Sequence, residues 1–187
     1  MKPLFASITL AAALGATLGA APAYAALAVG DAAPDFSAKA SLGGKEFDFS
    51  LAEALKKGPV VLYFYPAAFT KGCTIEAHDF AEATDKFAAL GATVIGVSHD
   101  DIAKLDQFSV SECRSKFAVA ADPDATVITE YKAQMAKNPV IADRISYVIT
   151  PDHKIAFSYT DMNPDQHVAL TMAAVQKWHD AQKIVGQ

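Results

Sequence analysis

Cysteine is nearly absent from this chain: Cys73 and Cys113 are its only two in 187 residues. Two thiols are too few for a disulfide-built scaffold, and two so far apart in sequence do not make a zinc site. The histidines, His78, His99, His153, His167 and His179, show no ligand spacing either, so no metal is expected. Basic charge is also scarce. Sixteen Lys and Arg stand against 21 Asp and Glu, a formal net charge of −5, and no block of basic residues occurs. That excludes the electrostatic footprint of a nucleic-acid binder. Beyond the first 25 residues there is no long apolar run, no internal repeat and no low-complexity tract. What is left is one compact, membrane-free domain, long enough to bury a full core.

The first stretch, "MKPLFASITLAAALGATLGAAPAYA", carries Lys2 as its only charge, an apolar run from Leu4 to Ala21, and Ala23-Tyr24-Ala25 in the small-x-small cleavage pattern. It reads as an export signal over residues 1–25, leaving a domain over 26–187 with a formal charge of −6 once Lys2 is gone, in a periplasmic or secreted location. An uncleaved anchor or a plain extension are the rival readings, and the Ala/Gly-rich run is weakly hydrophobic for a stable span. An oxidising compartment allows disulfides, and two cysteines suffice for one redox pair.

From Ala26 the punctuation is local. "AKASLGGKEFDFS" alternates around Gly43-Gly44 and predicts a hairpin. Ser50 to Glu53 has capping-box spacing and opens a short helix through Lys56, stopped by Gly58-Pro59. Val60 to Tyr65 is continuously apolar, as in a strand buried on both faces. After Cys73, Phe80, Thr84, Phe87 and Leu90 lie three or four apart, which predicts an amphipathic helix to Leu90 ended by Gly91. "ATVIGVS" is the next strand, residues 102–117 a helix with a break near Ser109, and "AVAAD" a short strand. A short helix in "DATVITEYKA" precedes paired strands "RISYVIT" and "KIAFSYT" around "PDH". Asn163-Pro164 with Gln166 caps a last helix to about Gln182. The order describes an α/β three-layer domain with a central mixed sheet flanked by helices. It matches the thioredoxin-like fold with an N-terminal hairpin extension.

One stretch carries chemistry. In "VVLYFYPAAFTKGCT" the buried strand turns at Pro66 into a helix that starts around Cys73. A free thiol is only about 3% ionised at pH 7, and the thiolate is the nucleophile. Unpaired N–H groups of the first turn, Gly72 to Ile75, and the helix dipole favour negative charge there. A hundredfold gain in thiolate takes about 2.7 kcal/mol, more than the dipole supplies at an exposed site. A cation is therefore expected beside the sulfur.

Pro66-Ala67-Ala68-Phe69-Thr70-Lys71-Gly72-Cys73 reads P-x-x-x-T-x-x-C, and with it the chain resembles the peroxiredoxins, in the Q-type or bacterioferritin comigratory protein branch. "VGDAAPDF", "VIGVSHDD", "FAVAADPD" and "RISYVITPDHKI" extend the resemblance over nearly the whole mature chain. It implies a thiol peroxidase that needs no bound cofactor, acts on hydrogen peroxide or organic hydroperoxides, draws electrons from a thioredoxin-like or other dithiol reductant, and is a monomer or weak homodimer. Cys73 matches the peroxidatic nucleophile, Thr70 the hydroxyl that bonds sulfur and peroxide, and Pro66 the shield against water. Arg144 matches the active-site arginine, which is the missing cation. Glu76 matches the acid that orients it. The implied product on Cys73 is a sulfenic acid. Many Q-type members place a second cysteine five residues on, where this chain has His78. Another group carries it in the helix after the next strand, the region of Cys113.

Rival readings stay open at this level. Cys113 can be inert core beside Val110 and Phe117, or half of a permanent bridge. Arg114 reads as an exposed helix arginine, Trp178 as a core or dimer-contact residue, and Phe69 and Tyr65 as entrance or core. Asp100 or Asp101 reads as the N-cap of the helix opening at Ile102. A thiol-disulfide oxidoreductase on the same fold is disfavoured because Thr70 stands where C-x-x-C needs its first cysteine. A non-catalytic binding module would not require Pro66, Thr70, Cys73 and Arg144 together.

Overall fold

The computed structural model describes residues 25–185, so the expected leader falls, but for Ala25, outside them. In chain order the elements are β1 (Ser37–Leu42), β2 (Lys45–Ser50), α1 (Leu51–Leu55), β3 (Val60–Phe64), α2 (Lys71–Ala89), β4 (Thr93–Ser98), α3 (Ile102–Ser111), β5 (Ala118–Ala121), α4 (Thr126–Glu130), β6 (Gln134–Met135), β7 (Asn138–Ala142), β8 (Ile145–Thr150), β9 (Lys154–Thr160) and α5 (His167–Val185). A 3-10 turn, Pro164–Gln166, leads into α5, and the Asn163 side chain accepts from Asp165 N.

Strand β3 is the pivot. Its side chains alternate, so one apolar run feeds two cores. Val60, Leu62 and Phe64 pack with α1 and α4 on one face. Val61 and Tyr63, with Tyr65 just beyond, pack with α2, α3 and α5 on the other. The main sheet runs β2-β1-β5-β4-β3-β8-β9. Its central β5, β4 and β3 are parallel, while β8 joins β3, and β1 joins β5, antiparallel. This is a thioredoxin-like α/β fold in three layers, with the hairpin β1–β2 extending one sheet edge.

The local signals act as expected at the caps. Ser50 Oγ accepts from Glu53 N, and Asp101, not Asp100, caps α3 by accepting from Lys104 N. The expected helix over 102–117 is shorter: α3 stops at Ser111. Both Glu112 N and Cys113 N donate back to Phe108 O, and Arg114 and Ser115 then take positive φ of 51° and 54°. Two consecutive left-handed residues reverse the chain, which no helix can follow. Cys113 therefore lies in a turn past the helix, and Arg114 is an exposed turn residue. The last helix runs past Gln182 to Val185. The sequence reading also passed over a second, two-stranded sheet, β6–β7. Among the described residues no helix is long and apolar enough to cross a membrane.

Candidate active site

At the end of β3, Tyr65 N still bonds Val97 O, and the chain then leaves the sheet at Pro66. The loop is held from outside: Ala68 N donates to Asp100 Oδ2 at 2.7 Å, and Ser98 Oγ donates to the same oxygen at 2.8 Å. Phe69 sits at φ 67°, a left-handed conformation that costs a non-glycine residue on the order of 1 kcal/mol. Its ring stands edge-on to Phe108, with centroids 5.2 Å apart, which helps hold it there. Thr70 is the N-cap of α2; its hydroxyl donates to Ala67 O at 3.0 Å. The resemblance gives this hydroxyl to the sulfur and the peroxide; in the structure its hydrogen goes to Ala67 O, which braces the loop.

Cys73 follows as the third residue of α2 and is 1% exposed. It stands in the first turn of α2, where the helix dipole favours negative charge. The expected cation is present: Arg144 Nη2 lies 3.5 Å from Cys73 Sγ. Two further contacts fix that guanidinium and one fixes the backbone that carries it. Nη1 pairs with Glu76 Oε2, Nε donates to Met162 O at 3.0 Å, and the backbone N of Arg144 donates to Asp143 Oδ1 at 2.8 Å. Burial opposes the Arg144 charge, but Glu76 and Cys73 outweigh it and hold the guanidinium protonated. Gly72 makes room for this approach, since a Cβ there would lie 2.9 Å from Arg144 Nη2.

Glu76 is fully buried one turn beyond Cys73. Burial pushes its carboxyl up to about 8, against the pull of Arg144. Only Oε2 is engaged; Oε1 has no hydrogen-bond partner. Cys113 is also fully buried, among Tyr63, Tyr65, Leu105, Phe108 and Phe117. Burial, and then the neighbouring Glu112, push its thiol well up. Both cysteines are free thiols.

The sequence pattern described as the AhpC/TSA family matches residues 29–158. The chain belongs to the AhpC/TSA family of peroxiredoxins. It is 31% identical to peroxiredoxin Q, chloroplastic, of Oryza sativa subsp. japonica, across 94% of this chain and 87% of that one. Its fold is similar to the crystal structure of peroxidoxin BcpB from Mycobacterium tuberculosis, with TM-score 0.72 and 28% identity over 80% of this chain and 96% of the other. The Xylella fastidiosa PrxQ structure, at 22% identity and TM-score 0.72, has the same fold.

In this peroxiredoxin the structure brings Cys73, Arg144 and Glu76 into one contiguous cluster, with Thr70 and Pro66 on the loop that leads into it. Cys113 belongs to the aromatic core below. Tyr65 is fully buried core, Phe69 is exposed, and Trp178 is half-buried on α5. The sequence reading passed over four contributors: Gly72, Asp100 as the brace of the loop, the Met162 carbonyl, and His167 with Ser146 behind Glu76. A glycine immediately before the cysteine was the one visible signal among them. The other contacts depend on where β8 and α5 dock, which no local pattern encodes.

Proposed function

We propose that this thiol-based peroxidase, whose substrate is a peroxide and whose electrons come from a thiol, uses Cys73 as its nucleophile, with Arg144 as the group that holds the thiolate and receives the charge developing on the peroxide. The single observation that carries this is Arg144 Nη2 at 3.5 Å from Cys73 Sγ, at the start of α2. The sulfur attacks one peroxide oxygen and the O–O bond breaks. Cys73 keeps one oxygen as a sulfenic acid, and the other leaves as hydroxide or alkoxide and takes a proton. The guanidinium, anchored by Glu76 and Met162, is preorganised where that charge appears. Thr70 stands at the start of the helix that presents the sulfur and braces the loop through Ala67 O, and Pro66 turns the chain into that loop.

Cys113 then attacks the sulfenic acid, water leaves, and a disulfide forms that a thioredoxin-like or other dithiol donor reduces. This requires the turn after α3 to open, because Cys113 starts fully buried and a bridge needs the two Cα atoms within about 7 Å. The same burial favours a second reading, in which Cys113 is inert and an external thiol resolves Cys73. The domain over 26–187 acts after export and cleavage following Ala25, as a monomer or weak homodimer; the leader pattern supports that location, and amino-terminal sequencing of exported protein tests it.

Reduced protein should consume about one equivalent of peroxide in a rapid burst, absent in Cys73→Ser. A burst surviving in Cys73→Ser would remove Cys73 from the mechanism. Mass spectrometry after peroxide decides resolution: a linked Cys73–Cys113 peptide pair supports the first reading. Sulfenic acid accumulating beside a free Cys113 supports the second.

A further inference from the structure

Behind Glu76 lies a buried histidine to which the reaction described above gives no part. His167, the first residue of α5, is fully buried, as is Ser146 of β8. Its Nε2 is 2.8 Å from Asp161 O, and its Nδ1 is 2.8 Å from Ser146 Oγ. A carbonyl only accepts, so Nε2 carries the hydrogen, and in the neutral ring Nδ1 accepts from the serine hydroxyl. Nδ1 is also 3.7 Å from Glu76 Oε1, the carboxylate oxygen without a partner. Thus a buried carboxylate oxygen lacking a donor faces a ring nitrogen able to become one.

We propose that His167 is a positioning residue: it shares one proton with Glu76, balances the charge of that carboxylate, and so fixes the anchor that aims Arg144 at Cys73. A buried carboxylate oxygen left without a partner is costly, more so when charged, so a proton at Nδ1 bears directly on how Glu76 is held. With the proton on Nδ1, the ring donates to Ser146 Oγ at 2.8 Å and places its positive charge 3.7 Å from Oε1, while Oε2 keeps Arg144. With the proton on Glu76, the carboxylic acid and the Ser146 hydroxyl compete for the one Nδ1 lone pair, and Oε2 still accepts from Arg144. Either arrangement serves the anchor; loss of the proton leaves Oε1 bare.

The groups facing this pair are few. Glu76 meets Arg144, which precedes β8, Asp79 on its own helix, and the Tyr63 phenol from β3. His167 meets Ser146 on β8, Asp161 after β9, Arg144, and the Tyr159 ring edge-on at 4.8 Å from β9. Burial lowers the basicity of His167, and Arg144 lowers it further, against the Asp161 contact. Glu76 is the group able to restore the proton to the pair, because its carboxyl titrates near 8.

The test combines nuclear magnetic resonance with the peroxide burst on reduced protein. With ¹³C-labelled histidine, the His167 ring resonance of wild type should move between pH 7 and 9, as the pair releases its proton. In Glu76→Gln that movement should vanish, because the glutamine neither binds nor releases a proton. Activity gives the second readout. His167→Phe should slow the burst at pH 7 about tenfold or more. His167→Gln, which keeps a donor and an acceptor, should recover most of that rate while shifting the inflection near pH 8. If His167→Phe does not fold, the resonance and His167→Gln still decide. A His167 resonance that is the same in Glu76→Gln as in wild type overturns the proposal, as does a wild-type pH profile in His167→Gln. The proposal rests on Cys73 and Arg144 acting as described: a wild type without a burst sinks that reading, whereas a normal burst with His167 uncoupled sinks this one alone.

Discussion

Arg144 has a partner at each of its three guanidinium nitrogens. Nε goes to the Met162 carbonyl, Nη1 to Glu76, and Nη2 to the sulfur, so any displacement of the head costs a contact with the reacting atom. Gly72 offers a fine probe of that placement. Alanine there would favour helix by roughly 0.5–1 kcal/mol over glycine, since Gly72 lies inside α2 at ordinary helical φ. Its Cβ would lie only 2.9 Å from Nη2. A long arginine elsewhere swings aside cheaply, but this one is pinned at two other nitrogens. Gly72→Ala should therefore keep or slightly raise stability to urea while slowing the burst about tenfold. Arg144→Met, which deletes the charge and keeps much of the volume, should slow it by about 10²–10³. Arg144→Lys should not restore the rate, because one ammonium cannot serve three acceptors in that geometry. Stopped-flow bursts across pH check both positions; Gly72→Ala at wild-type rate would show that the guanidinium yields freely.

At the scale of elements, the turn carrying Cys113 is fastened to α2 by a ladder. His78, Glu82 and Asp85, spaced along one face of α2, pair with Glu112, Arg114 and Lys116 at 2.9, 3.1 and 3.2 Å. All three pairs are partly or largely exposed, so each contributes about 0–1 kcal/mol, less in salt. They oppose two left-handed residues, Arg114 and Ser115, whose strain is of the same order. Removing two rungs from the α2 side, with Glu82→Gln and Asp85→Asn, should leave the Cys73 burst unchanged and speed labelling of buried Cys113 by a thiol reagent about threefold to tenfold. Raising salt should speed labelling in wild type and much less in the variant. Equal labelling rates in the two proteins would mean that apolar burial alone holds the turn. None of this ladder was legible in the sequence, where residues 102–117 read as helix with a break near Ser109 and His78 as a lone polar residue. The break falls two residues later, after Ser111, and the turn that follows it was not legible because no glycine or proline marks it. The two-stranded sheet β6–β7 escaped as well, since β6 has two residues and β7 contains Pro139. By contrast β3, the loop from Pro66 to Cys73 and the start of α2 were readable, because there periodicity, turn chemistry and capping agree. Arg144 was placed by resemblance, and the geometry accounts for it by charge.

For the molecule as a whole, the buried cluster leaves a mark on stability against pH. Glu76 holds its proton in the native state up to about 8, whereas the unfolded chain releases it near 4.5. The native state therefore binds more protons than the unfolded one across that window, so stability falls as pH rises from 4.5 to 8 and levels off above it. His167 acts oppositely. Its native basicity lies below the model 6.5, so the unfolded chain binds the extra proton, and stability rises with pH up to about 6.5. Between 4.5 and 6.5 the two slopes oppose each other. From 6.5 to 8 the Glu76 slope stands alone, because the raised Cys113 thiol and the raised buried tyrosines separate from their unfolded counterparts only at more alkaline pH. One proton corresponds to at most about 1.4 kcal/mol per pH unit, so the fall over this interval is bounded near 2 kcal/mol. Urea unfolding of reduced protein at half-unit steps of pH measures it. Wild type should lose stability from pH 6.5 to 8, and Glu76→Gln should be flatter over the same interval even if it is less stable throughout, since it has no proton to release. A wild-type curve parallel to that of Glu76→Gln would mean that Glu76 is ionised in the native state at pH 6.5, with Arg144 prevailing over burial.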